Sequence, residues 1–292
     1  MSTFLDYALG GIGPGTVVAL LALALVLTWR STRIVNFAQV GQAMFTTFIA
    51  LALQELTGSW LLALVGAMLA GAVLGLFVQV LVLRPVRRSD TSGAIIATFG
   101  VLIVLQSLAA MLWGGDPQSF PPPISNSGIE VGGRVWPVSP YDLLILGTAA
   151  ILVVALTLLF TRTGVGLAMR ATAFNPEVAR LSGVRVGRML GLGWALAGVV
   201  GAVAGVLVAP SATLSPNSYD ILLVFAFTAA VVGGLDSLVG AVFFGVMTGV
   251  ILGLVTGYSD SSSAPVAVLV LLAANLWLKP EGFFGRGKAR VV

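Results

Sequence analysis

Apolar residues run along the chain in nine stretches, at about 15–29, 41–54, 60–83, 94–112, 142–160, 189–209, 220–234, 238–256 and 265–278. Within them hydrophobicity is nearly continuous. There is no strict alternation of the kind that marks a half-buried strand. Runs of this length predict helices surrounded by lipid or by other helices. The expected fold is all-α: a polytopic integral membrane protein with eight or nine transmembrane helices. The whole chain, 1–292, reads as one transmembrane domain with no room for a sizeable soluble one. The first, second and seventh stretches hold only about 15 apolar residues, short of the ~20 a full span needs. Such segments either are broken helices that end inside the protein or recruit flanking residues.

The polar residues between the stretches sort by charge. With the N-terminus outside, alternating segments place Arg30, Arg33, Arg84, Arg87, Arg88, Arg162, Arg170, Arg180, Arg185, Arg188, Lys279, Arg286, Lys288 and Arg290 on the inner side, leaving only Arg134 outside. Acids show no matching bias. This is the pattern of the positive-inside rule, and it puts the C-terminus in the cytoplasm.

Composition agrees with the pattern. Hydrophobic residues make up 58% of the chain and charged residues 9%, where soluble domains carry about 25% charged residues. The net charge of +4 belongs to loops beside spans and does not suggest nucleic acid as a partner. Cys and His are both absent, which excludes disulfides, thiol catalysis and His-based metal sites or proton relays. No P-loop motif occurs, so ATP hydrolysis through a P-loop is not expected of this chain. No span carries an acid or base near its centre, against the habit of proton-coupled carriers.

Four interruptions carry candidate function. The longest basic one, 161–188, is a cytoplasmic loop with five arginines and one acid, Glu177. Inside it Asn175 is a good N-cap, Pro176 suits the first helical position, and Glu177 favours the positive end of the helix dipole. Val178, Arg180 and Leu181 continue a short helix, and Gly183 can take the left-handed exit. This is either an ordinary positive loop or a docking helix for a cytoplasmic partner.

The break at 31–42 sets Asn36, Gln39 and Gln42 on roughly one helical face. Amides at the edge of an apolar span either glue helices together or line a polar path. A second break, Val232 to Ser237, has adjacent Gly233 and Gly234 ending one segment and Asp236 or Ser237 capping the next. The fourth, the external loop 113–140, holds three consecutive prolines at 121–123 and cannot be helical there. Glycine ladders, Gly66, Gly71 and Gly75, Gly198 with Ala202 and Gly205, and Gly240 through Gly253, permit close helix packing within a bundle or a dimer.

Several of these stretches together resemble one family. They are Arg33-Ile-Val-Asn-Phe-Ala-Gln39, Thr163-Gly-Val-Gly-Leu-Ala-Met-Arg170 followed by Ala179-Arg-Leu-Ser-Gly-Val184, Val231-Val-Gly-Gly-Leu-Asp-Ser-Leu-Val-Gly240, and Lys279-Pro-Glu-Gly-Phe-Phe-Gly285. In this order they are similar to the LivH-type permease subunits of branched-chain amino acid ABC importers. Asp236 stands where that family usually has glycine.

The resemblance implies a multi-pass protein of the bacterial inner membrane that forms part of the path for branched-chain or other hydrophobic amino acids. It implies a second, LivM-like permease subunit or a second copy, two cytoplasmic ATPases, and an external substrate-binding protein. ATP would be hydrolysed by those partners, with no cofactor and no enzymatic site in this chain. The ATPases would dock at Glu177, Val178, Arg180, Leu181 and Gly183. Asn36, Gln39, Gln42, Gly233 and Gly234 are the path candidates. Urea or short amides are the alternative cargo within the family. A passive solute channel and a transport-inactive scaffold are the alternatives outside it.

Overall fold

Each of the nine apolar stretches is helical in the computed structural model, which describes residues 2–86, 91–131 and 133–285. Arg87, Arg88, Arg286, Lys288 and Arg290 of the charge pattern lie outside them. The helices are α1 (Ser2–Gly10), α2 (Ile12–Thr32), α3 (Gln39–Thr57), α4 (Trp60–Phe77), α5 (Arg84–Val86) and α6 (Thr91–Trp113). A two-stranded hairpin of β1 (Glu130–Val131) and β2 (Arg134–Val135) follows. Then come α7 (Pro140–Arg162), α8 (Gly164–Phe174), α9 (Pro176–Leu181), α10 (Val186–Val208), α11 (Asp220–Gly233), α12 (Leu238–Tyr258) and α13 (Ala264–Leu278). Among the described residues, seven helical segments are long and apolar enough to cross a membrane. The protein is a polytopic all-α membrane protein.

The three short stretches separate into two kinds. The first grows to 21 residues in α2 and the second to 19 in α3 by recruiting polar flanks. The seventh stays short, 14 residues in α11, or about 21 Å at 1.5 Å per residue against a hydrocarbon core of about 30 Å.

Helix α2 is the axis of the bundle. Val17 through Leu27 are each at most 2% exposed, as an all-round apolar helix requires when other helices surround it. α10 and α12 pack along it, with α11 and α7 completing the ring. The glycine ladders make these contacts possible. Gly249 and Gly245 of α12 lie against Gly15 and Ala19 of α2, antiparallel and backbone to backbone. Gly71 and Gly75 of α4 meet Gly198 and Trp194 of α10 in the same manner. Of the two uses the ladders allow, these helices spend theirs inside one chain.

The ends of the bundle are tied separately. At one end Arg134 in the hairpin holds Asp6 of α1 at 2.7 and 2.9 Å. At that end too, Gln118 pairs with Leu214 across two loops, and Gln54 reaches the carbonyl of Pro121. The Tyr141 hydroxyl donates to Leu207 O at 2.9 Å and that of Tyr219 to Gly205 O at 2.8 Å. At the opposite end Arg33 pairs with Asp236, and the Trp194 indole donates to Thr32 at 3.3 Å. The one basic residue that the charge pattern leaves outside, Arg134, is thus neutralised by an acid from the N-terminal helix.

Candidate functional site

The basic loop at the Arg33 end folds as two short helices. Thr163 caps α8 by accepting from the Gly166 N–H at 3.1 Å. Asn175 caps α9, its Oδ1 accepting from the N–H groups of Glu177 and Val178 at 3.0 and 3.1 Å. Both caps satisfy backbone donors that the helix itself cannot. Gly183 closes α9 at φ +82°, and the Val184 N–H returns to Ala179 O at 3.0 Å. That left-handed exit is the conformation glycine adopts at least cost.

One face of α9 is anchored. Ala179 is 3% exposed and packs with Val186 and Leu190 at the start of α10. The opposite face is open, with Val178 56% and Leu181 89% exposed. Glu177, Arg180 and Gly183 are exposed around it. Phe174, at the end of α8, is 94% exposed as well. Sequence reasoning missed it, although a large aromatic inside a basic loop was the available signal.

The amides of the first break come together in the bundle interior. Asn36 and Gln39 are 0% exposed and Gln42 1%. The Asn36 amide donates to Gln39 Oε1 at 3.1 Å and to Gln42 Oε1 at 3.5 Å. Its own Oδ1 accepts from the Ala38 N–H at 3.1 Å, a local turn that starts α3. Gln39 Nε2 donates to the carbonyl of Ala197, midway along α10, at 3.1 Å. Gln42 Nε2 is buried without a partner. Beside the cluster Phe37 stacks on Phe99 at 4.4 Å and its N–H donates to Thr98. The partners on α6 and α10 are far away in sequence, and no local signal points to them.

A family model described as branched-chain amino acid transport system, permease component, matches residues 7–276. The chain belongs to this family. It is 29% identical to the probable branched-chain amino acid transport permease protein LivH of Methanocaldococcus jannaschii, over 94% of this chain and 91% of that one. It is 27% identical to the high-affinity permease LivH of Salmonella typhimurium, over 99% and 98% of the two chains. BraD of Pseudomonas aeruginosa is 24% identical over the same shares. Among solved structures, PsaBC from Streptococcus pneumoniae in complex with Fab shares the fold. That match has 18% identity and a TM-score of 0.50, over 96% of this chain and 93% of the other.

Within this permease the second break lies beside the first. Gly233 ends α11 against the backbone of Gly240, a contact that leaves no room for a side chain. Gly234 turns the chain at φ +93°. The stretch after α13 returns to this break, where the N–H groups of Phe283 and Phe284 donate to Val232 O and Gly233 O at 2.8 and 3.2 Å. Asp236 forms the ion pair with Arg33, which is itself left-handed at φ 59° and ends α2. Asp236 therefore bridges the two breaks. Gly233 and Gly234 sit at this junction, and the amide cluster lies deeper, level with the middle of α10.

Proposed function

We propose that the chain is the permease subunit of an ABC importer for branched-chain or other hydrophobic amino acids, moved by partner ATPases. The observation that carries this is α9. It is a capped helix anchored by Ala179, and it turns Val178 and Leu181 outward from a membrane protein of the permease family. Apolar side chains so exposed, ringed by Glu177 and Arg180, suit a groove on a cytoplasmic ATPase. Gly183 sets the exit angle of the helix. Two ATPases, a second permease chain (LivM-like or a second copy) and an external substrate-binding protein complete the assembly. The positive-inside bias puts α9 in the cytoplasm and the hairpin outside, and the nine helical stretches alternate on that reading.

Asn36, Gln39 and Gln42 are assigned to the path, with Gly233 and Gly234 as the break beside it. Their burial within one chain means that substrate meets them only after the helices rearrange, and the unpartnered Gln42 Nε2 is the donor free to respond. The amide chemistry also suits urea or short amides, which is the second reading of the cargo.

Affinity purification of the tagged chain in mild detergent, with identification of co-purifying proteins, tests the assembly. Recovery of P-loop ATPases supports it. Recovery of the folded chain alone, together with passive solute flux in liposomes, would replace it with the channel reading.

A further inference from the structure

A basic crevice of about 950 Å³ opens between the end of α4 and the start of α10. On the α4 side the helix widens into a π-helical turn, Val78–Leu83, before α5, a distortion often found at functional sites. Arg84, Arg180, Arg185 and Arg188 line the crevice, and among the described residues no acid does. None of the four forms an ion pair among the described residues. Gln79 also faces the crevice; it is 5% exposed and its Oε1 has no hydrogen-bond partner. The remaining wall includes Leu76 and Val80, 45% and 39% exposed, and runs on into the outer surface of α4.

Depth fixes the setting. Arg84 lies at the end of the apolar segment Trp60–Val86, and Arg185 and Arg188 stand at the start of Val186–Ser211. The crevice is therefore at the boundary between hydrocarbon and water. We propose that it holds the headgroup of an anionic phospholipid of the phosphatidylglycerol kind.

Guanidinium forks match phosphate oxygens in a two-pronged manner, and basic pockets between spans attract anionic lipid headgroups. A headgroup hydroxyl donates to the Gln79 oxygen. The acyl chains lie along the wall formed by Leu76 and Val80. Free phosphate would answer the arginines but leave that apolar wall uncovered. An acidic segment of a cytoplasmic partner would do the same.

Native mass spectrometry of the full chain, in mild detergent with the subunits that accompany it, tests the site. Phosphatidylglycerol, phosphatidylcholine and inorganic phosphate are the probes. Phosphatidylglycerol is expected to be retained and phosphatidylcholine lost. The variant R84Q/R185Q/R188Q is expected to lose roughly a hundredfold in phosphatidylglycerol affinity, the scale for three basic contacts at an anionic surface. R162Q, outside the crevice, keeps it.

Equal retention of the two lipids, or wild-type affinity in the triple variant, overturns the proposal. Displacement of the lipid by millimolar phosphate makes this a plain anion site and overturns the lipid assignment. Loss of the lipid on ATPase binding gives the crevice to the partner and does the same. Should the triple variant not fold, the wild-type comparison of the two lipids and the variant Q79L, expected to weaken phosphatidylglycerol alone, still decide.

Discussion

Changing Val178 and Leu181 together to Asp removes the outward face of α9 while leaving its cap and its anchor in place. Burying a whole side chain of this size is worth ~1.5–3 kcal/mol. With these two residues 56% and 89% exposed, the pair has about 2–4 kcal/mol to contribute when a partner covers it. Losing it weakens association by roughly 30- to 700-fold.

The helix itself should survive. Asn175 still accepts from the N–H groups of residues 177 and 178, and Ala179 stays packed under the start of α10. The assay is retention of ATPase subunits on the purified variant against salt and dilution, alongside its thermal midpoint in the same detergent. The expected outcome is lost ATPase with an unchanged midpoint. Full retention of ATPase by V178D/L181D would refute the docking role of this face. A large fall in the midpoint would refute the claim that the face is free in the isolated chain.

Three further outcomes follow from the geometry. Gly183→Val places a β-branched residue at φ +82°, a strain of about 1–2 kcal/mol; coupled transport should fall more than membrane insertion, and an equal loss of both counts against the docking role. Gln39→Leu removes the donor to Ala197 O and the acceptor of Asn36, costing about 1–3 kcal/mol. A lower thermal midpoint checks the bonding, and unchanged transport per folded molecule would make the amides structural only. Gly249→Val drives a side chain into the backbone of Gly15 and Gly11 and should cost about 3 kcal/mol or more of stability in detergent. The control Gly147→Val meets open space and should stay within about 0.5 kcal/mol.

The lipid-facing class, the existence of every long helix and the exit and entry of α9 were all legible in the sequence. Each rests on a local rule. Continuous apolar runs have one stable outcome where no water satisfies the backbone. Asn175-Pro176-Glu177 and Gly183 mark helix ends through bonds within a few residues. The sorting of arginines follows from charge and parity alone. The helix α8, with its exposed Phe174, was less visible because its polar and apolar positions are mixed inside a basic loop.

Tertiary structure alone decided which helix is central, which glycines meet, and where the amides go. Nothing local distinguishes α2 from its neighbours as the buried axis, because hydrophobicity fits lipid and protein surroundings equally well. Gly249 and Gly15 are separated by most of the chain, and only the antiparallel pairing of α12 and α2 gives their lack of side chains a purpose. The same holds for Gln39 and Ala197, for the Arg33–Asp236 bridge and for the arginine crevice. Contacts of this kind depend on which helices lie side by side. In a bundle that choice follows from shape and polar pairing between distant segments, which hydrophobic periodicity does not encode.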